Sequence, residues 1–210
     1  MTRKSIKLGL ALLATLAMSA VVASGASADP EFHILLEDTT LTGAQITPNV
    51  LTTDLGEFKC ETIKYVGTQG PFTSETLTLK PIFEKCKFGA ENAAVTVNGC
   101  GFLFHLAHEE PFEAFMDIEC PAGEKLVIHT PGCSTTIPPQ IGLKNVTFTN
   151  EGEMNTRALI IDFNVEGIDY IEHGGACANE TVTTNNGTFV GQATVTGENG
   201  AGEHRPIWVG

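Results

Sequence analysis

"NGCGFLFHLAHEEPFEAFMDIECP", residues 98–121, is the stretch on which the fold turns. Two runs of alternating apolar residues flank the turn signal "EEP". Laid antiparallel, they set Phe102 opposite Ile118, Phe104 opposite Met116 and Leu106 opposite Ala114. Every pair on that face is apolar, and a slip of one residue would turn the whole face outward, so the apolar pattern alone fixes the register. The same register puts Cys100 opposite Cys120. Facing cysteines lie at about the separation a disulfide requires when the position is a non-hydrogen-bonded pair. Closing such a loop, about 20 residues long, contributes on the order of 3 kcal/mol in the chain-entropy model.

The opposite face of that hairpin is polar. His105 falls beside Phe115, with Asp117 and Glu113 on the diagonals, and His108 falls at the turn next to Glu109 and Glu110. Residues three apart on a strand point to opposite faces, so His105 and His108 are not expected to converge on one metal ion. The expectation is a solvated face with a charge-balanced histidine. His108, Glu109 and Glu110 at the turn form the one metal candidate, for calcium or a transition metal. No cofactor is implied.

The first 28 residues read differently. Arg3, Lys4 and Lys7 precede the apolar run "LGLALLATLAMSAVVA", and Ala26, Ser27 and Ala28 offer small residues for cleavage before Asp29. That is the pattern of a secretory signal peptide, with residues 29–210 as the exported part and no later run of membrane length. The chain carries 25 acidic against 12 basic residues, a formal charge of −13, and no acid lies in the first 28 residues. Such a balance argues against nucleic acid and against anionic membrane surfaces, which need basic patches. A secreted, extracellular location follows, with an extracellular or cell-surface ligand as the class of partner left open.

All six cysteines, Cys60, Cys86, Cys100, Cys120, Cys133 and Cys177, lie after residue 28. An even count in an exported protein points to disulfides, and no spacing fits a zinc site. Cys60 and Cys86 flank a looser strand pair in which Ile63 faces Phe83 and Glu61 faces Lys85. Elimination then leaves Cys133 with Cys177, and a Cys120–Cys133 bridge is the rival.

Beyond the signal the chain is rich in Thr, Val, Ile and Phe and punctuated by Gly, Asn and Pro, and no helical period is sustained. Short strands at close spacing predict an all-β fold, an antiparallel β-sandwich or barrel-like architecture with several disulfide-tied hairpins. "AAVTVNGCGFLFHL" (93–106) reads as one strand, and Trp208 reads as the core anchor of the last. "TTIPPQIG" (135–142) carries two prolines that no central strand accepts. It reads as a crossover within one domain spanning 29–210; the alternative is a boundary between two β subdomains.

The fragments "FH" (32–33), "TLTG" (40–43), "KC" (59–60), "NGC" (98–100), "CPAG" (120–123), "PPQ" (138–140), "FTN" (148–150) and "IWV" (207–209) resemble an uncharacterised family of exported, cysteine-containing, β-rich bacterial proteins. The resemblance implies export and disulfides, and it carries over no functional residue. No nucleophile elbow, phosphate loop, HExxH or EF-hand loop is present. The leading expectation is a non-catalytic secreted protein at or near the cell surface. A hydrolase with an unidentified carboxylate pair, or a carbohydrate- or cation-binding module, are the alternatives.

Overall fold

The computed structural model describes residues 29–108, 111–177 and 183–210, and every regular element among them is a β-strand. In chain order these are β1 (Phe32–Ile34), β2 (Thr39–Thr53), β3 (Gly56–Gln69), β4 (Thr73–Ser74) and β5 (Thr76–Phe88). Then come β6 (Glu91–Thr96), β7 (Gly101–His108), β8 (Phe112–Glu119), β9 (Leu126–Thr130) and β10 (Cys133–Ile137). The last are β11 (Gln140–Glu151), β12 (Ala158–His173), β13 (Thr183–Glu198), β14 (His204–Arg205) and β15 (Ile207–Val209).

Antiparallel pairing runs from β2 through β3, β5, β7, β8, β11, β12 and β13 and back to β2, closing an eight-stranded barrel. Closure removes the open edges that would template aggregation. Toward one end the wall forks. β5 pairs with β7 through Thr76–Leu79 but with β6 through Cys86–Phe88, and β12 pairs with β11 near its start but with β10 near its end. A second branch, β6–β9–β10, therefore spans the same gap as β7–β8–β11. The chain passes between branches at Pro138–Pro139, where the missing N–H groups break the ladder. Strands from before and after that point lie in the same closed sheet.

The hairpin of residues 101–119 has the register that its apolar face specifies, with Phe102, Phe104 and Leu106 across from Ile118, Met116 and Ala114. Three disulfides are formed: Cys60–Cys86, Cys100–Cys120 and Cys133–Cys177. Outside the barrel the Lys85 Nζ meets the Glu61 carboxylate at 3.1 Å.

Two expectations are corrected here. Residues 93–106 are two strands, because Asn98 and Gly99 adopt φ of 53° and 78° and turn the chain from one branch of the fork to the other. Consecutive left-handed residues are what an Asn-Gly turn supplies. Trp208 is not in the core. Ile207 and Val209 take the inward positions of β15, which leaves Trp208 on the outer side, stacked on His33 at 5.2 Å with the Arg157 guanidinium 5.9 Å from its ring.

One barrel end is capped by the sheet β15–β1–β4. Glu31 and Gly210 exchange backbone hydrogen bonds, and the Asn150 side chain bonds both the N–H and the C=O of Val209. Beneath the cap a ladder of rings runs along the barrel axis, Phe32–Phe148–Phe104–Phe163–Phe189, with centroids 5.0 to 6.2 Å apart. Each such pair contributes about 0.5–1.5 kcal/mol beyond its buried area. Inward positions are held in phase by bulges. In β12 the odd residues Leu159 to Val165 face in, Gly167 at φ 76° takes the extra position, and Ile168 and Tyr170 then face in.

Candidate functional site

The end opposite the cap is built differently. Below Phe102 and Phe189 the ring ladder ends, and the barrel holds an apolar chamber of about 50 Å3 whose walls include Phe58 and Phe83. That exceeds the 10–15 Å3 or so that one water molecule needs. The walls come from both branches of the fork: Met116 and Ile118 from one, Val95, Leu126, Ile128 and Ile137 from the other. The Cys60–Cys86 disulfide forms part of the lining.

Among the described lining residues, Asn49 is the one with a polar side chain other than the bonded cysteines. It is only 1% exposed. A bulge in β2 between Ala44 and Val50 swings it inward. Gln45 holds that bulge, donating from Nε2 to the carbonyls of Cys60 and Glu61 at 3.2 and 2.8 Å and accepting the Asn49 N–H. The Asn49 Nδ2 donates to the Tyr65 hydroxyl at 2.6 Å, and the Asn49 Oδ1 has no donor. Burial pushes the Tyr65 phenol well above its ordinary value, against the hydrogen bond from Asn49, so it stays neutral.

The floor beyond the chamber is tied by side chains. Asp54 in the β2–β3 turn donates its N–H to the Tyr170 hydroxyl at 2.9 Å, and that hydroxyl donates to Asn186 Oδ1 at 2.8 Å. Asn186 Nδ2 returns to the Asp54 carboxylate at 2.8 Å, closing a ring of three residues from three strands or turns.

The histidine face lies outside the barrel. His105 Nε2 is 3.0 Å from the Asp117 carboxylate, whose other oxygen accepts the Gly142 N–H at 2.7 Å. The expectation that His105 and His108 point apart is corrected. A bulge between Leu106 and His108 pairs His108 with Glu113, which puts it on the same outer face as His105. Glu109 and Glu110 lie outside the described residues. Among the described residues no group of three His, Cys, Asp or Glu is placed to hold a metal ion.

His108 and Glu113 border an outer groove of about 480 Å3 with Phe115, Lys144, Asp162 and Asn164. Phe115 is 38% exposed, and the Asp162 carboxylate is already engaged by Gln192 Nε2 at 2.7 Å. This is the described groove where an acid pair, Glu113 and Asp162, shares a concavity.

Compared with family models, curated proteins and solved structures, the chain matches none. The site is therefore read from its own chemistry. Asn49 was silent in the sequence because "TPNV" carries no motif. The signal that bears on it is Pro48, which cannot sit unbulged in a central strand and so marks where the alternation of β2 breaks.

Proposed function

We propose that this protein is an exported binding barrel that works outside the cell by holding a small, largely apolar molecule in its interior rather than by transforming one. The observation that carries the reading is the chamber itself. An eight-stranded barrel is just wide enough either to fill with side chains or to keep one small ligand. Here the cap half is filled by rings and the fork half is left with a small apolar space. Three disulfides support work in an oxidising compartment, and two of them staple strands whose side chains wall the chamber.

The test uses the full chain expressed with residues 1–28 and recovered from outside the cell. The mature protein should begin at Asp29. Under xenon, methyl resonances of Ile63, Met116 and Ile128 should shift while those of Leu159 and Val209 at the capped end stay put. Retention of the chain inside the cell, or chamber methyls that ignore xenon, would sink the reading.

A second reading rests on the outer groove. An exposed Phe115 ringed by Lys144, Asp162 and Asn164 is the mix of apolar platform and planar hydrogen-bonding groups that sugars use. A glycan array probed with the wild type and with Phe115→Ala separates the two. Binding that is lost in the variant would favour this face over the chamber.

A further inference from the structure

We infer that the outer groove beside Phe115 binds a protonated amino sugar, with the pyranose face on the ring and the ammonium toward Glu113 and Asp162. The inference rests on the second reading above, a glycan on this face, and adds its charge class.

The backbone makes the groove. On the outer face of the barrel the registers of β7, β8, β11 and β12 set one row, His108–Glu113–Thr147–Asp162. In the next row Phe115 stands opposite His105, and there the pairing with β11 breaks. Two residues of β11, Lys144 and Asn145, lie against Phe115 alone, and Asn145 takes the left-handed φ of 66°. The β11–β12 ladder starts only beyond this bulge, at Val146 and Phe163. The wall opens there into the concavity of about 480 Å3.

Its chemistry is that of an apolar platform beside a cation seat. Phe115 is exposed between two buried neighbours, Ala114 and Met116. A negative ring face takes the C–H side of a pyranose and attracts an adjacent cation. Glu113 and Asp162 stand on either side of Thr147, two strand spacings or about 10 Å apart, so a ligand over Thr147 meets both. Gln192 engages one Asp162 oxygen, and among the described residues no Lys or Arg is ion-paired with either acid. Against these two carboxylates the lining sets one Lys, Lys144. That balance favours a cationic ligand over an anionic one. The carboxamides of Asn145 and Asn164 offer the donors and acceptors that sugar hydroxyls use, which a plain amine would leave idle.

The test titrates three hexamers of equal length into the disulfide-intact protein: glucosamine, N-acetylglucosamine and galacturonic acid. It is run at low salt and about pH 6, where carboxylates are ionised and the amino sugar is largely protonated. Backbone amide shifts of Phe115, Thr147 and Asn164 report the groove. The glucosamine hexamer should bind about tenfold more tightly than its N-acetyl form, and the preference should fade as salt is raised. Glu113→Gln, an exposed position, should cut that preference about threefold, which separates charge from the bulk of the acetyl group. Phe115→Ala should weaken both.

Equal binding of the two hexamers, both weakened by Phe115→Ala, would keep the glycan reading and overturn the charge class. Preference for the galacturonic acid hexamer would make Lys144 the recognising group and overturn it as well. A plain diamine that binds as tightly as the glucosamine hexamer would overturn the sugar. If no hexamer moves the groove amides, the inference and the glycan reading fall together, and the chamber reading is untouched.

Discussion

Asn49 and Tyr65, on neighbouring strands, share a hydrogen bond of 2.6 Å in the interior of the barrel, with the carboxamide donating to the phenol. Tyr65 also packs against Phe163 and Phe102, at 6.1 and 6.5 Å, so it links the polar spot to the aromatic ladder. Tyr65→Phe strands the Asn49 Nδ2 in an apolar setting and should destabilise the protein by about 1–3 kcal/mol. The double variant Tyr65→Phe/Asn49→Leu removes both partners and should recover most of that loss. Urea midpoints at constant slope check both statements. A double variant no more stable than Tyr65→Phe would mean the bond matters less than the packing around it.

Both tyrosines of the chain are held neutral by burial. The Tyr65 phenol is raised chiefly by desolvation. Tyr170 is raised first by burial and also by the charges of Asp54 and Glu172, against the lowering effect of the Asp54 N–H. A folded-state value above the unfolded value of about 10 means the unfolded chain loses its protons first. Stability from these groups is fully present below that pH and is lost as pH rises through the folded values. Tyrosinate absorbance near pH 10 should therefore be lower in the folded protein than in the unfolded chain, with Tyr65 ionising only as the protein unfolds at higher pH. With only two tyrosines in the chain the signal is unambiguous. A smooth titration at pH 10 in the folded protein would contradict the burial of both.

The alkaline prediction depends on Tyr170 facing inward, and that fact shows where sequence reading works. Phe102, Phe104 and Leu106 alternate without interruption, so their register and the Cys100–Cys120 bridge could be read directly. Tyr170 could not be placed, because the odd phase of Leu159 to Val165 is reset by Gly167, and a bulge leaves no mark in an apolar pattern beyond a glycine. Asn49 and His108 were misread or missed for the same reason, each lying just past a register shift. Trp208 was misplaced because three residues of β15 are too few to show which parity faces in. The forked wall is a tertiary outcome, and what distinguished it locally was the Asn98–Gly99 turn inside a run that otherwise reads as one strand.

The three staples should differ in weight. Sequence separations of 20, 26 and 44 residues for Cys100–Cys120, Cys60–Cys86 and Cys133–Cys177 give chain-entropy contributions of about 3, 3.5 and 4 kcal/mol. Paired Cys→Ser variants should fall in that order in denaturant midpoint. Cys60→Ser/Cys86→Ser has an added effect, because that pair lines the chamber. It should change xenon-induced methyl shifts there, whereas Cys133→Ser/Cys177→Ser should not. Equal chamber shifts in both variants would detach the first staple from the chamber.

Gly191 and Asn49 should be coupled through space rather than through any bond. A methyl at Gly191 would collide with the Asn49 carboxamide and Cα, and φ at 191 is 156°, so Gly191→Ala should destabilise by about 1–3 kcal/mol or more. Asn49→Ala alone removes the Tyr65 partner and enlarges the chamber, and should also destabilise. Combined, the two substitutions relieve each other in part, because the carboxamide is gone while the Asn49 Cα and the positive φ at 191 still oppose the new methyl. The double variant should be more stable than the sum of the single losses by at least about 1 kcal/mol. Thermal or urea unfolding of the four proteins measures that coupling. Strict additivity would show that the glycine serves the β13 backbone, with its φ of 156°, and not the carboxamide.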